Sequence, residues 1–264
     1  MRQTAISDFV RCVLSTLLSA VVAAAGAGTT AGAQERPARV LYFTHSAGFR
    51  HDVIPRSREI LKAIGETAPR FDVTASEDVA VFTPENLRRY GAVMFFTTGE
   101  LPMSDAQKRA LVDFVRAGGG FLGVHSATDT FYQWDEYGKL IGGYFDQHPW
   151  HQAVRVEVAD PSSPLVGFLG SSFAITDEIY QIRDFDPATS HVLLRLDPGS
   201  VDLTRDLVRR HTYGWPLAWT RSYGSGRVFY SALGHEEAVW RDGRYQQVLR
   251  GAILWALGRP LAEH

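Results

Sequence analysis

From residue 39 onward, short apolar runs alternate with segments of helical spacing. RVLYFTHSAG (39–48) is β-rich and ends in a turn, and DVIPRSREILKAIGETA (52–68) sets Ile60, Leu61 and Ile64 on one helical face. FDVTASED (71–78) reads as a second strand. AVMFFTTGE (92–100) is a continuous apolar run, the pattern of a strand covered on both faces. LPMSDAQKRALVDFVRAGGG (101–120) predicts a helix. Ser104 and Gln107 have capping-box spacing, Leu111, Phe114 and Val115 form the apolar stripe, and Gly118 marks the stop. GFLGVHS (120–126) is the next strand. Strands and helices alternating at this spacing predict an α/β fold with a doubly wound, mainly parallel sheet.

After about residue 146 the texture changes. HQAVRVEVAD (151–160), FAITDEIYQI (173–182) and HVLLRLD (191–197) read as strands with no helices between them, which predicts an antiparallel annex. LAWTRSYGSGRVFYSALG (217–234) predicts a hairpin turning at Gly224-Ser225-Gly226. RYQQVLRGAILWALG (244–258) predicts a closing amphipathic helix.

The N-terminus has a different character. VLSTLLSAVVAAAGAG (13–28) is apolar and small, follows Arg2 and Arg11, and precedes Ala31-Gly32-Ala33, a small-x-small cleavage pattern. Residues 1–33 therefore read as a secretory signal peptide, and 34–264 as a single domain exported to the periplasm. The apolar run is short for a membrane span and is broken by Ser and Gly, so no membrane insertion is expected after cleavage. The single cysteine, Cys12, lies inside the leader, so the mature chain has neither a disulfide nor a thiol nucleophile. The whole chain carries 27 Lys and Arg against 29 Asp and Glu. This balance gives no electrostatic reason to expect a nucleic-acid partner. Self-association into a homo-oligomer is left open.

Ligands of open α/β sheets gather at the carboxyl ends of the strands. By that rule His45 and Ser46, Glu100, His125 and Ser126, and His235 face one rim, with His45, His125 and His235 sharing a site. His51 reads either as a cap of the following helix or as a site residue. His148 and His151 in DQHPWHQ are three apart, the spacing of a metal pair on a helix, but Pro149 argues for a loop. In TDEIYQI, strand alternation sends Glu178 and Tyr180 to one face and Asp177 to the other.

Several segments together resemble the trehalose-utilisation (ThuA-like) family: GELPMSDAQKRALVDFVRAGGGFLGVHSATDT, YGKLIGGYFDQHPWHQ, DEIY, PLAWTRSYGSGRVFYSALGHE and LRGAILWALG. The resemblance implies a flavodoxin-like fold related to class I glutamine amidotransferases and a link to carbohydrate catabolism. It also sets the superfamily's Gly-x-Cys-x-Gly elbow on Gly123-Val124-His125-Ser126-Ala127, and its His-x-Glu on His235-Glu236-Glu237. A histidine then stands where the nucleophilic thiol would be, and glutamine hydrolysis through a thioester cannot run.

These readings lead to an enzyme acting on a small carbohydrate, a sugar or keto-sugar derivative. His125, His235 and Glu178 carry acid-base chemistry, and either Glu178 or Glu237 supplies the acid. His45, His51, Glu100, Ser126, Asp129, His148, Asp177 and Tyr180 bind the substrate. Two alternatives stand beside it. One is a divalent metal held by the rim histidines and a carboxylate in a hydrolase or lyase. The other is a non-catalytic carbohydrate-binding module.

Overall fold

The computed structural model describes residues 38–261, and the expected signal peptide lies outside these residues. In chain order the elements are β1 (Arg39–Phe43), α1 (Ile54–Glu66), β2 (Asp72–Ser76), α2 (Pro84–Leu87), β3 (Ala92–Phe95), α3 (Asp105–Arg116), β4 (Gly120–Val124), α4 (Asp135–Ile141), β5 (Tyr144–Val158), β6 (Ser172–Arg183), β7 (His191–Leu196), β8 (Pro216–Tyr223), β9 (Gly226–Ser231), α5 (Glu237–Arg241) and α6 (Gly243–Ala256).

All nine strands form one sheet, in the order β2-β1-β3-β4-β9-β8-β7-β5-β6. The pairings from β2 through β9 are parallel. Those from β9 to β6 are antiparallel. The expected antiparallel annex is present. It continues the parallel sheet edge to edge, because β9 pairs with β4 on one side and β8 on the other.

Alternation along the central strands assigns their side chains to two faces. Phe95 packs against Phe43 and Phe121, and both Phe95 and Phe121 meet Tyr137 of α4. The opposite face carries Tyr42, whose hydroxyl bonds Ser57 of α1, and Gly120, whose close neighbour is Ala256 of α6. Every residue of β3 and β4 is buried, which explains their uninterrupted apolar sequence. The expected capping box at Ser104 and Gln107 is present, and Leu111, Phe114 and Val115 are buried.

The order β2-β1-β3-β4 reverses direction between β1 and β3, the crevice position of open α/β folds. The carboxyl ends of β1, β3, β4 and β9 share one edge there. The ribbon of β5 and β6 reaches the same edge although these strands are far away in the sheet order. β5 contacts the turn after β4, and β6 contacts α5. Register shifts between Phe145 and Gln147 and between Gln147 and Trp150 bend this ribbon. Pro149 lies in the second shift, where its missing N–H breaks no ladder bond. His148 and His151 therefore belong to a bulged strand, neither to a helix nor to a loop.

Candidate functional site

The site is built around the corner after β4. His125 has φ 46°, in the left-handed region, and opens a tight turn through Thr128. An L-residue pays roughly 1–2 kcal/mol for this conformation. Surrounding bonds hold it in place. The Tyr230 hydroxyl donates to the His125 carbonyl at 2.6 Å, and the Tyr137 hydroxyl donates to the Ala127 carbonyl at 2.7 Å. Gly123 leaves room for this packing, since a Cβ there would lie 2.9 Å from Ile141 Cδ1 and 3.0 Å from Tyr230 Cδ2 and would push these side chains aside. The corner has the strained geometry of a nucleophile elbow, with an imidazole at its apex.

His125 Nδ1 donates to the Ala232 carbonyl at 2.8 Å. A carbonyl only accepts, so this bond leaves Nε2 to face the site. Nε2 lies 3.2 Å from His235 Nδ1 and 3.5 Å from Glu178 Oε2, and His235 Nδ1 lies 3.2 Å from the same carboxylate oxygen. His51 completes the group, its ring centroid 4.9 Å from that of His125 and 5.1 Å from that of His235. His51, His125 and His235 come from the loops or turns that follow β1, β4 and β9, and Glu178 from β6.

Burial sets the electrostatics. His51 is 4% exposed, and burial pushes its pKa down to about 3, helped by the neighbouring charges of His125 and His235. It is a neutral imidazole at physiological pH, and its buried Nδ1 finds no hydrogen-bond partner among the described residues. Burial alone would raise Glu178, but the adjacent His125 and His235 imidazoles hold it well below the usual carboxylate range. The hydrogen bond to Glu178 raises His235 against the opposing effect of burial.

A second ring of groups surrounds this centre. His148 Nδ1 lies 3.2 Å from the other oxygen of Glu178 and is half-exposed. His151 Nε2 bonds Glu236 Oε1 at 2.7 Å, beside His235. Tyr180 stands against His125 with ring centroids 4.1 Å apart. The Tyr132 hydroxyl donates to Asp129 at 2.6 Å, and burial raises the Asp129 carboxyl. A cleft of about 270 Å³, lined by Phe49, His51, Asp52, Val53, His235, Glu236 and Glu237, opens onto the centre. Phe49 at its mouth is 66% exposed.

The structure brings His51, His125, Glu178, His235, His148 and Tyr180 together. Asp177 lies behind them, fully buried, accepting the Gly234 N–H at 2.7 Å and the Glu236 N–H at 3.0 Å. It positions the His235 loop rather than facing the cleft. Ser126 is buried, with an Oγ unpaired among the described residues.

Two expected rim residues, His45 and Glu100, sit elsewhere, and the alternative acid Glu237 lines the cleft without joining the centre. His45 donates from Nδ1 to the Glu77 carbonyl at 2.8 Å and stacks on Phe43, so His51 takes the place expected of it. Glu100 is exposed and accepts the Gln133 N–H. Glu237 is exposed and paired with Arg241, so the carboxylate at the centre is Glu178. His51 does not cap α1, whose N-cap position is Val53. The His151–Glu236 pair was not singled out from the sequence, since only the curl of β5 and the β9 loop brings its members together.

A doubly wound sheet with a strained strand-end corner places the molecule among proteins with the glutamine amidotransferase-like, flavodoxin-like fold. Within that class, the chain belongs to the ThuA family, described as trehalose utilisation, whose profile matches residues 39–256. A putative ThuA-like protein from Bacteroides uniformis ATCC 8492 superposes with TM-score 0.71 at 25% identity, over 87% of this chain and 95% of the other. A second putative ThuA-like protein, from Parabacteroides merdae ATCC 43184, gives TM-score 0.68 at 20% identity, over 87% and 93%. A β-galactosidase from Bacillus circulans sp. alkalophilus shares the fold over 87% of this chain and 32% of its own, with TM-score 0.53 at 14% identity. No curated protein matches the chain.

Proposed function

We propose that this protein is an enzyme of carbohydrate metabolism that acts on a sugar or keto-sugar derivative, with the centre at His51, His125, Glu178 and His235 as the place of reaction. The observation that carries this reading is the group of three imidazoles and one carboxylate, with His51 and His125 buried, at the foot of a cleft whose mouth holds an exposed phenylalanine. A pyranose ring stacks its C–H face on an aromatic ring and turns its hydroxyls to polar groups. Phe49 offers the first contact, and His148, Asp129 and the His151–Glu236 pair offer the second.

The reaction class is polar. Isomerisation or elimination next to a carbonyl needs one group to polarise the oxygen and another to carry the proton. The buried centre supplies the first, and the hydrogen-bonded His151–Glu236 pair and His148 supply the second at its solvent edge. Glutamine hydrolysis through a thioester is not expected of this chain, because His125 stands at the elbow in place of a thiol. A non-catalytic sugar-binding module is less well supported, since a binding surface alone has no use for a strained corner that converges three imidazoles on a carboxylate.

The test is turnover of a panel of glycosides and their keto derivatives by residues 34–264, followed by NMR. Glu178→Gln is expected to lower kcat/KM by ~10³-fold, whereas Phe49→Ala raises KM with little change in kcat. Absence of both binding and turnover across the panel would overturn the reading. The apolar, small-residue sequence at 13–28, followed by Ala31-Gly32-Ala33, supports export to the periplasm, to be checked by cell fractionation with intact-mass analysis of the mature N-terminus. Full-length protein in the cytoplasm would refute it.

A further inference from the structure

We infer that His51, His125, Glu178 and His235 form a binding site for one divalent first-row transition-metal ion. One potential donor atom from each of the four lies within 4.8 Å of the others. The three best-defined donors, His125 Nε2, His235 Nδ1 and Glu178 Oε2, form a triangle with sides of 3.2, 3.2 and 3.5 Å. Donors bound about 2.0–2.1 Å from a tetrahedral ion are separated by ~3.4 Å. The triangle already has the dimensions of one face of a coordination shell.

Hydrogen bonding alone leaves this arrangement unsatisfied. His125 Nδ1 donates to the Ala232 carbonyl, so Nε2 is the nitrogen whose lone pair a metal ion would take, any proton there being released on binding. If His235 Nδ1 donates to Glu178, the lone pair of His125 faces a carboxylate oxygen 3.5 Å away with no proton between them. A cation at the centre meets all of these donors at once. His51 adds an independent sign. The residue is 4% exposed, its ring packs edge-on to both other imidazoles, and Nδ1 is unpaired among the described residues. Burying an unpaired imidazole nitrogen beside two others is costly unless a ligand compensates.

The groups behind the donors are those that orient metal ligands elsewhere. The Ala232 carbonyl fixes the His125 tautomer. Asp177 holds the Gly234 and Glu236 amides and with them the loop carrying His235. His148 sits on the outer oxygen of Glu178. Three nitrogens and one oxygen favour zinc, manganese, iron(II) or cobalt over calcium and magnesium, which take mostly oxygen ligands. The bound ion would act as a Lewis acid toward a substrate oxygen entering from the cleft. It would replace the proton otherwise shared among His125, His235 and Glu178. The inference stands apart from the sugar reading, because it concerns what the site holds and not what it transforms.

The experiment uses residues 34–264 purified without nickel resin or chelator. Elemental mass spectrometry reads the metal content. The protein is then stripped and titrated with Zn²⁺, Mn²⁺, Fe²⁺ and Co²⁺ by calorimetry, with the visible spectrum of the Co²⁺ form recorded. One ion per chain is expected. His51→Ala, His125→Asn, His235→Asn and Glu178→Gln should each weaken binding by at least ~100-fold, and His148→Gln, which removes an outer partner of Glu178, by ~10-fold. The wild-type stoichiometry needs no variant to fold, and circular dichroism separates lost ligands from lost structure. Failure of stripped, folded wild-type protein to bind any of the four ions would overturn the inference, as would unchanged binding in folded His125→Asn and His235→Asn. A loaded protein that binds no sugar would sink only the proposed function, and a metal-free protein that turns over a keto-sugar would sink only this one.

Discussion

His125 Nε2 lies 3.2 Å from His235 Nδ1, although 110 residues separate them in the chain. Two ring nitrogens at this distance share one proton or one cation, so the two residues act as a unit. Removing either should cost nearly as much as removing both. His125→Asn and His235→Asn are each expected to lower kcat/KM on a turned-over sugar by ~10³-fold, and the double variant should fall little further. Multiplying losses in the double variant would show that the two act independently.

The strain at His125 gives a stability comparison that activity does not confound. At φ 46° glycine is relaxed and alanine is not. His125→Gly should therefore be about 1 kcal/mol more stable than His125→Ala. Urea midpoints of the two variants decide it. Equal midpoints would mean that the corner relaxes once the imidazole is gone.

Asp177 works through the backbone. Its carboxylate accepts two N–H groups of the His235 loop in a fully buried position. Asp177→Ala leaves both donors unpaired and should destabilise the fold by about 3 kcal/mol. Asp177→Asn keeps one acceptor oxygen and should lose about half as much. An unchanged urea midpoint in Asp177→Ala would show that these amides find other partners.

The ion cluster at the end of β2 sets an acid limit. Glu77 takes two bonds of 2.9 Å from Arg50 and another from Arg58. The bonds from Arg50 hold its pKa at about 2, against an opposing push from burial. A carboxylate depressed in the folded state adds stability above its unfolded pKa, and loses it as pH falls from about 4.5 toward 2. Glu77 is 36% exposed, so solvent screening limits the gain to about 1 kcal/mol. Glu77→Gln should lower Tm at pH 7 and converge with wild type as pH approaches 2. A constant gap across that range would assign the effect to packing.

Much of the fold was legible in the residues. The buried runs of β1, β3 and β4, the capped helix at 105–116 and the hairpin at 217–234 follow from local periodicity and turn chemistry, which act over a few neighbours. The short helices α2, α4 and α5 were not anticipated, because segments of four to seven residues hold too little periodic pattern. Strand-end logic found His125 and His235, and alternation found Glu178 and Tyr180. The same logic placed His45 at the rim, yet the loop after β1 turns that ring to the Glu77 carbonyl and carries His51 inward.

The sequence by itself determined the order of the strands and of the long helices, the turn at His125, the histidine standing there in place of a thiol and the resemblance to the ThuA family, since each depends on neighbouring residues or on an ordered set of motifs. Only the tertiary structure decided that Glu178 rather than Glu237 meets the histidines, that His51 replaces His45, and that β5 and β6 curl back to close the site. Those outcomes depend on bulge positions and on the path of the β1 and β9 loops. The donors they assemble come from segments far apart in the chain, so their 3 Å spacing is a property of packing that no local pattern encodes.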